Sequence, residues 1–196
     1  MQTHLFFCLL MDIKDSNIKL DNFILINRGR NYHKLDKDGI EIIKTKQIQK
    51  DSIYNKNSYI YTNIFSDNNL IRKNEIVMSV TGEGRGKINL IKEPRVLIDS
   101  TLINIKSFDK KIIDEIYLFY FLKSRIKLLK EKAEGSSIKS IKLLHLKNIK
   151  IPIIDINKQK LIGDFFNKID QLIENNRLLI KLLDEYKNTY LNKIYD

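Results

Sequence analysis

The nine residues from Val80 to Ile88 read VTGEGRGKI, three glycines interleaved with an acid and an arginine and closed by a lysine. Glycine lets the main chain approach a ligand closely and basic side chains answer to phosphate, so the chemistry on offer is phosphate binding. A nucleoside triphosphate loop needs a longer spacer between its glycines and a hydroxyl residue directly after its lysine. Here Gly86 follows Gly82 too soon, and Ile88 follows Lys87. The dinucleotide fingerprint would require a third glycine where Lys87 stands. Two readings remain open: a main-chain loop against DNA phosphates, and a plain glycine-rich hairpin.

Groups able to carry a reaction are sparse. His4, His33 and His145 are scattered, without the paired spacing of a metal site. Pro94 and Pro152 are each flanked by other residues, so the double-proline motif of DNA amino-methyltransferases is absent. Neither proline precedes the acid, acid and lysine of a common nuclease core. The residues disfavour an enzyme, and none is assigned a catalytic, metal-binding or cofactor-binding role. Cys8 is the one cysteine, which excludes a disulfide within these residues and points to a reducing compartment. The apolar run from Leu5 to Met11 lacks a basic leader and a small-residue cleavage site, and Asp12 ends it. It is too short to span a bilayer. The expectation is a cytoplasmic protein with no membrane partner and Met11 as an alternative start.

Charge narrows the partner. The formal net charge is +11, and such a surface potential draws polyanions. Residues 1–155 hold 28 Lys and Arg against 18 Asp and Glu, while residues 156–196 hold 7 against 6. The basic excess therefore belongs to the first part, which also carries the glycine loop.

The elements that must position these groups fall into two periods. Residues 18–30, Gly39–Ile48, Glu75–Gly82, KINLI and RVLIDSTLINI read as short strands divided by Asn, Asp and Gly, as in SDNN at Ser66–Asn69. From Lys110 to Glu134 the pattern turns helical, with Ile113, Ile116, Tyr117, Tyr120, Phe121, Ser124, Ile126 and Leu129 on a broad face stopped by Gly135. GSSIKSI makes a polar turn, and LKNIKIPII reads as a last strand with Pro152 at its end. Asp155 and Asn157 are candidate N-caps for a helix beginning beside them. Beyond Lys158 there is no proline, and a heptad frame runs through Ile162, Phe165, Ile169, Leu172, Asn176, Leu179, Leu183, Tyr186 and Tyr190, flanked by Phe166, Ile173, Ile180 and Ile194. A helix of this stripe would reach about 57 Å, longer than the preceding domain can cover, so it calls for a partner helix. The fold class expected is α+β: a mixed, β-rich domain over residues 1–155, then a long coiled-coil helix over residues 156–196.

The segments YLFYFLKS (Tyr117–Ser124), GSSIKSI, LKNIKIPII and KQKLIGDFFNKIDQLIE, in that order behind a basic mixed domain, resemble the specificity subunit of type I restriction-modification systems. The resemblance covers residues 18–196, as one target recognition domain and one spacer helix. It departs from the family at Lys158, where a Glu usually precedes the Gln, and at Ile153 and Ile154, where a second proline is common. A full specificity subunit has two of each part, so the chain looks like a half subunit that pairs with a second copy or another half. A truncated remnant and a dimeric coiled-coil DNA-binding regulator are the alternatives. The resemblance implies double-stranded DNA as ligand and modification subunits, which bind S-adenosylmethionine and methylate adenine, as partners. It also implies restriction subunits that join them. On the residue types, the DNA-facing candidates are Arg28, Arg30 and Tyr32, Lys44, Lys46 and Gln47, Arg85 and Lys87, and Ser136, Ser137 and Lys139. The helix-pairing candidates are Ile162, Phe165, Ile169, Leu172, Asn176, Leu179 and Leu183.

Overall fold

A computed structural model describes residues 17–33, 38–48, 61–63, 69–92, 95–135 and 138–195. His4, Cys8, Met11, Pro94, Ser136 and Ser137, and with them the apolar run at Leu5–Met11, lie outside the described residues. Within them the expected α+β architecture is present. Ten strands form three sheets, and three helices follow from Glu115 onward.

The central sheet has the order β2 (Ile24–Arg28), β9 (Leu102–Ser107), β6 (Ile76–Ser79), β7 (Ile88–Leu90), antiparallel throughout. A second sheet has the order β4 (Tyr61–Thr62), β3 (Ile40–Ile43), β8 (Arg95–Ile98), β5 (Ile71–Arg72), in which β3 and β8 run parallel. Side chains alternate across a strand, and the consequence is visible in β6 and β9. Ile76, Met78, Ile103 and Ile105 pack toward the helices, whereas Val77 and Leu102 join Ile43, Ile71, Val96 and Ile98 between the two sheets. Because both faces are covered, β6 is buried at every position. Beside it, Asn104 Nδ2 donates to Glu75 Oε2 at 3.0 Å and to the Ile76 carbonyl at 3.3 Å.

Helix α1 (Glu115–Glu131) covers the central sheet. It starts later than the apolar pattern suggests, since Asp114 accepts from the amides of Ile116 and Tyr117, both at 3.0 Å, and so caps it. Tyr117, Leu118, Phe119, Tyr120, Phe121 and Leu122 are all buried, so its first turns are enclosed on every side. The strand expected over Leu146–Ile154 is present but shorter, as β10 (Lys150–Pro152), which pairs antiparallel with β1 (Asn17–Lys19); Leu146 and Lys147 belong to a short helix α2 (Leu143–Lys147) ahead of it. Pro152 ends its strand as expected, and its carbonyl accepts the Tyr117 hydroxyl at 3.0 Å.

Helix α3 runs from Ile156 to Tyr195, 40 residues. Asp155 is its cap, accepting from the amides of Asn157 at 2.9 Å and Lys158 at 3.3 Å; Asn157 lies inside the helix. Gln159, fully buried, fastens the first turn to the loop ahead of α1. Its Oε1 accepts from the Asp114 amide at 3.0 Å, and its Nε2 donates to the carbonyls of Ile112 at 2.8 Å and Ile154 at 2.9 Å. At Gly163 the helices cross so closely that a Cβ would stand 3.1 Å from the Tyr117 amide nitrogen. The opening turns of α3 thus belong to the domain core, although the polypeptide enters the helix at residue 156.

Candidate nucleic-acid interface

The glycine loop joins β6 to β7. Gly82 and Gly86 have φ of +68° and +80°, values that favour glycine. Gly82 O accepts both the amide and the Nη1 of Arg85, at 3.2 and 3.0 Å, which curls the arginine back over its own loop. Ser79 closes the base of the loop, donating its amide to Lys87 O at 2.8 Å and accepting the Gly86 amide at 2.7 Å. Arg85 and Lys87 are half-buried, not fully extended into solvent.

Three other segments meet this loop. The Lys44–Gln47 stretch is a 3-10 turn over Thr45–Gln47. Thr45 Oγ1 lies 3.0 Å from Ser79 Oγ and 2.8 Å from Thr101 Oγ1. The turn between β8 and β9, Asp99–Thr101, is held by Asp99 Oδ1, which accepts from the Thr101 amide at 2.9 Å and from its hydroxyl. That turn also receives the end of β2: Arg28 Nε donates to Ser100 O at 3.1 Å, and Ser100 Oγ donates to Asn31 Oδ1 at 2.6 Å. Gly29 is required here by close approach, since a Cβ would sit 2.0 Å from the Asp99 carbonyl oxygen. On the far side, Gly82 donates its amide to Lys139 O at 3.1 Å, and Thr81 bridges to Ser140.

Four stretches distant in sequence therefore share one end of the sheet pair and bring Arg28, Arg30, Lys44, Lys46, Arg85, Lys87 and Lys139 into one neighbourhood. Arg28, Arg30, Lys46 and Lys139 are exposed, and Lys44 is half-buried. Tyr32 is also half-buried, and desolvation pushes its hydroxyl pKa up against the opposing pull of Arg30. Gln47 departs from its expected place at the surface: it is 1% exposed and accepts the Lys44 amide at 2.8 Å, closing the turn from inside. Thr45, Ser79, Asn31, Ser100 and Thr101, which tie the segments together, had no marker in the sequence beyond being small and polar.

Beside the Lys139 segment, Glu134 pairs with Lys142 and with His145 Nε2, the latter at 3.0 Å, and both contacts hold its carboxyl below the usual range. Among the described residues no group of His, Cys, Asp and Glu could hold a metal ion. No described helix is long and apolar enough to cross a membrane.

The helix stripe divides in two. Ile162 is buried and Ile169 half-buried against the domain. Together with Tyr120, Lys123, Ser124, Phe166, Asp170 and Ile173, Ile169 lines a groove of about 330 Å³ between α1 and α3. Asp170 Oδ2 crosses it, accepting from Tyr120 Oη at 3.0 Å and Lys123 Nζ at 2.8 Å. Phe165, Leu172, Leu179 and Leu183 are exposed, as is every residue from 171 to 194. Asn176, expected at an inner position, is exposed and donates to Leu172 O at 2.8 Å on its own helix. The apolar stripe is thus left in water over this length.

The family model described as "Type I restriction modification DNA specificity domain" matches residues 14–184. The chain is 29% identical over 126 residues to the type I restriction enzyme MjaVIII specificity subunit of Methanocaldococcus jannaschii, covering 64% of this chain and 29% of that one. It is 31% identical over 84 residues to a putative type I specificity subunit of Mycoplasma pneumoniae, covering 42% and 22%. Among solved structures, the type I restriction-modification S subunit of M. genitalium superposes with a TM-score of 0.65 at 22% identity, over 87% of this chain and 43% of that one. A specificity subunit from Thermoanaerobacter tengcongensis gives 0.63 at 16%, over 88% and 44%. These two share the fold. The chain spans under a third of the length of the two curated relatives and under half of the solved structures.

Proposed function

This chain belongs to the type I restriction modification DNA specificity family, and from that membership we propose that it is a non-catalytic recognition unit that reads one half of an interrupted double-stranded DNA target. The observation that carries the proposal is the convergence of the glycine loop, the Lys44–Gln47 turn, the Arg28–Tyr32 segment and Lys139 at one end of the sheets. Lysines there meet phosphate as point charges, and arginines offer the planar fork that suits guanine or phosphate. The exposed half of α3 pairs with a second such helix and docks modification subunits, which bring S-adenosylmethionine; restriction subunits join that assembly. A groove-reading helix, the mark of the regulator alternative, has no candidate in α1, because its first turns are enclosed.

The test is duplex binding by the full chain across a salt series. The expected result is an affinity that falls steeply with salt, with the slope reduced by about one for Lys87→Ala and either the same or loss of one target position for Arg85→Ala. Salt-independent binding, or two variants indistinguishable from the parent, overturns this surface as the DNA face.

A further inference from the structure

We infer that Thr45 is the positioning residue of the glycine loop, holding it through a directed chain of hydroxyls and fixing its distance from the Lys44–Gln47 turn by the contact of one methyl group with Gly84. The inference deepens the proposed DNA reading and rests on it for its functional consequence, though not for its geometry.

The direction of the hydrogen bonds follows from counting protons. A hydroxyl has one hydrogen to give and two lone pairs to receive. Thr101 gives its hydrogen to Asp99 Oδ1, so toward Thr45 it can only accept. Thr45 must then donate to Thr101 across 2.8 Å and accept from Ser79 across 3.0 Å. The order is Ser79 to Thr45 to Thr101 to Asp99, one chain that ends on a carboxylate and joins the base of the glycine loop to the β8–β9 turn. Ser79 is fully buried, so its hydroxyl has no solvent to replace Thr45. Each bond in such a chain polarises the next.

The methyl group acts separately. A Cβ built on Gly84 would lie 2.1 Å from Thr45 Cγ2, while the next nearest atoms, Thr45 Cβ and Ser79 Oγ, are at ordinary contact distances of 3.6 and 3.7 Å. Gly84 does not share the positive φ of its neighbours. Its being glycine is therefore a matter of one methyl group, in contrast to Gly82 and Gly86. Thr45 cannot turn that methyl away without breaking its hydroxyl chain, because one torsion carries both. Lys44 and Lys46 flank Thr45, and Arg85 and Lys87 follow Gly84 by one and three residues. One residue thus sets the offset between two pairs of basic side chains.

Four variants of the full chain separate the two actions: Thr45→Val, Thr45→Ser, Gly84→Ala and Gly84→Ala with Thr45→Ser. Amide hydrogen exchange over residues 79–87 is the readout that needs no DNA. Thr45→Val keeps the methyl and loses the chain, and exchange at Arg85 and Gly86 should rise about tenfold, as for one lost hydrogen-bonded link. Thr45→Ser should leave it near the parent. Gly84→Ala should raise exchange, and adding Thr45→Ser should restore it. Parent-like exchange in Thr45→Val, or a double variant as perturbed as Gly84→Ala, overturns the inference, and the second comparison decides it if Thr45→Val fails to fold. Enrichment from a library of duplexes of randomised sequence gives the functional arm: Gly84→Ala should blur the selected sequence at unchanged salt slope, and the double variant should recover it. A parent that selects nothing and binds without salt dependence defeats the DNA reading, while the exchange data still decide the role of Thr45.

Discussion

Replacing Gln159 tests whether the start of α3 is a structural part of the domain. Gln159→Leu keeps the bulk of the side chain and removes three hydrogen bonds, to the Asp114 amide and the carbonyls of Ile112 and Ile154. At about 1 kcal/mol net for each, and more for any partner left dry, the cost is about 2–4 kcal/mol. That is a large part of the roughly 5–15 kcal/mol that holds a domain together. In urea titration of the full chain the midpoint should fall by about 1–2 M. Gln159→Glu sharpens the test. It retains an acceptor for Asp114 but aims a carboxylate oxygen at two carbonyl oxygens where an amide now donates. Its folded-state pKa is therefore raised above the unfolded value, so the folded chain binds more protons and stability falls as pH rises between the two. The Glu variant should be weaker than the Leu variant at neutral pH and recover as pH drops through the folded-state pKa. A Leu variant within about 0.5 kcal/mol of the parent, or a Glu variant without acid recovery, would refute the reasoning.

Two further changes probe the loop and the exposed stripe. Gly86→Ala meets a φ of +80° and places a Cβ 2.6 Å from Lys130 Cε and 3.0 Å from Ile126 Cγ2, so the thermal midpoint should fall by the equivalent of about 1–3 kcal/mol. Asn176→Leu should raise the melting point of paired chains while mixing their oligomeric states in light scattering, because a polar residue at this position sets alignment at a cost in stability. In an antiparallel pair Asn176, beside the midpoint of α3, meets its own copy, so Asn176→Cys with Cys8→Ser should form a disulfide between chains under mild oxidation. No crosslink at 176 counts against that arrangement.

What could be read from residues alone tracked the range of the interaction. The long helix was legible because its heptads repeat within one element, and Asp155 because a cap acts three residues away. The glycine loop was legible as composition, but the reason for each glycine was not: Gly82 answers to backbone angle, Gly84 and Gly29 to atoms far away in the chain, and Gly86 to both. Strands β4 and β5, two residues each, exist through pairing with β3 and β8 and leave no local period. Leu146 and Lys147 were read as the start of a strand because β-branched residues crowd the segment after them, from Ile149 onward; they close the helix α2. Gln47 was placed outside with its lysine neighbours because a charged run says nothing about which member turns inward. The basic candidates were found by type, whereas Thr45, which arranges them, acts through contacts 34 and 56 residues away in the chain.

The pairing of β1 with β10 has a consequence for how the protein is made. The first strand among the described residues waits for residues 150–152 before it has a neighbour, and Leu20 donates its amide to Ile149 O at 2.8 Å in the same closure. Gln159 completes the bracket from within α3. Synthesis adds about 5–20 residues per second, so about 2–9 s pass between the end of β9 at Ser107 and the end of β10 at Pro152. The domain is closed only once the start of α3 has emerged. A nascent chain stopped short of Gln159 then lacks the last fastening of its fold, and the same step that completes the domain starts its longest helix.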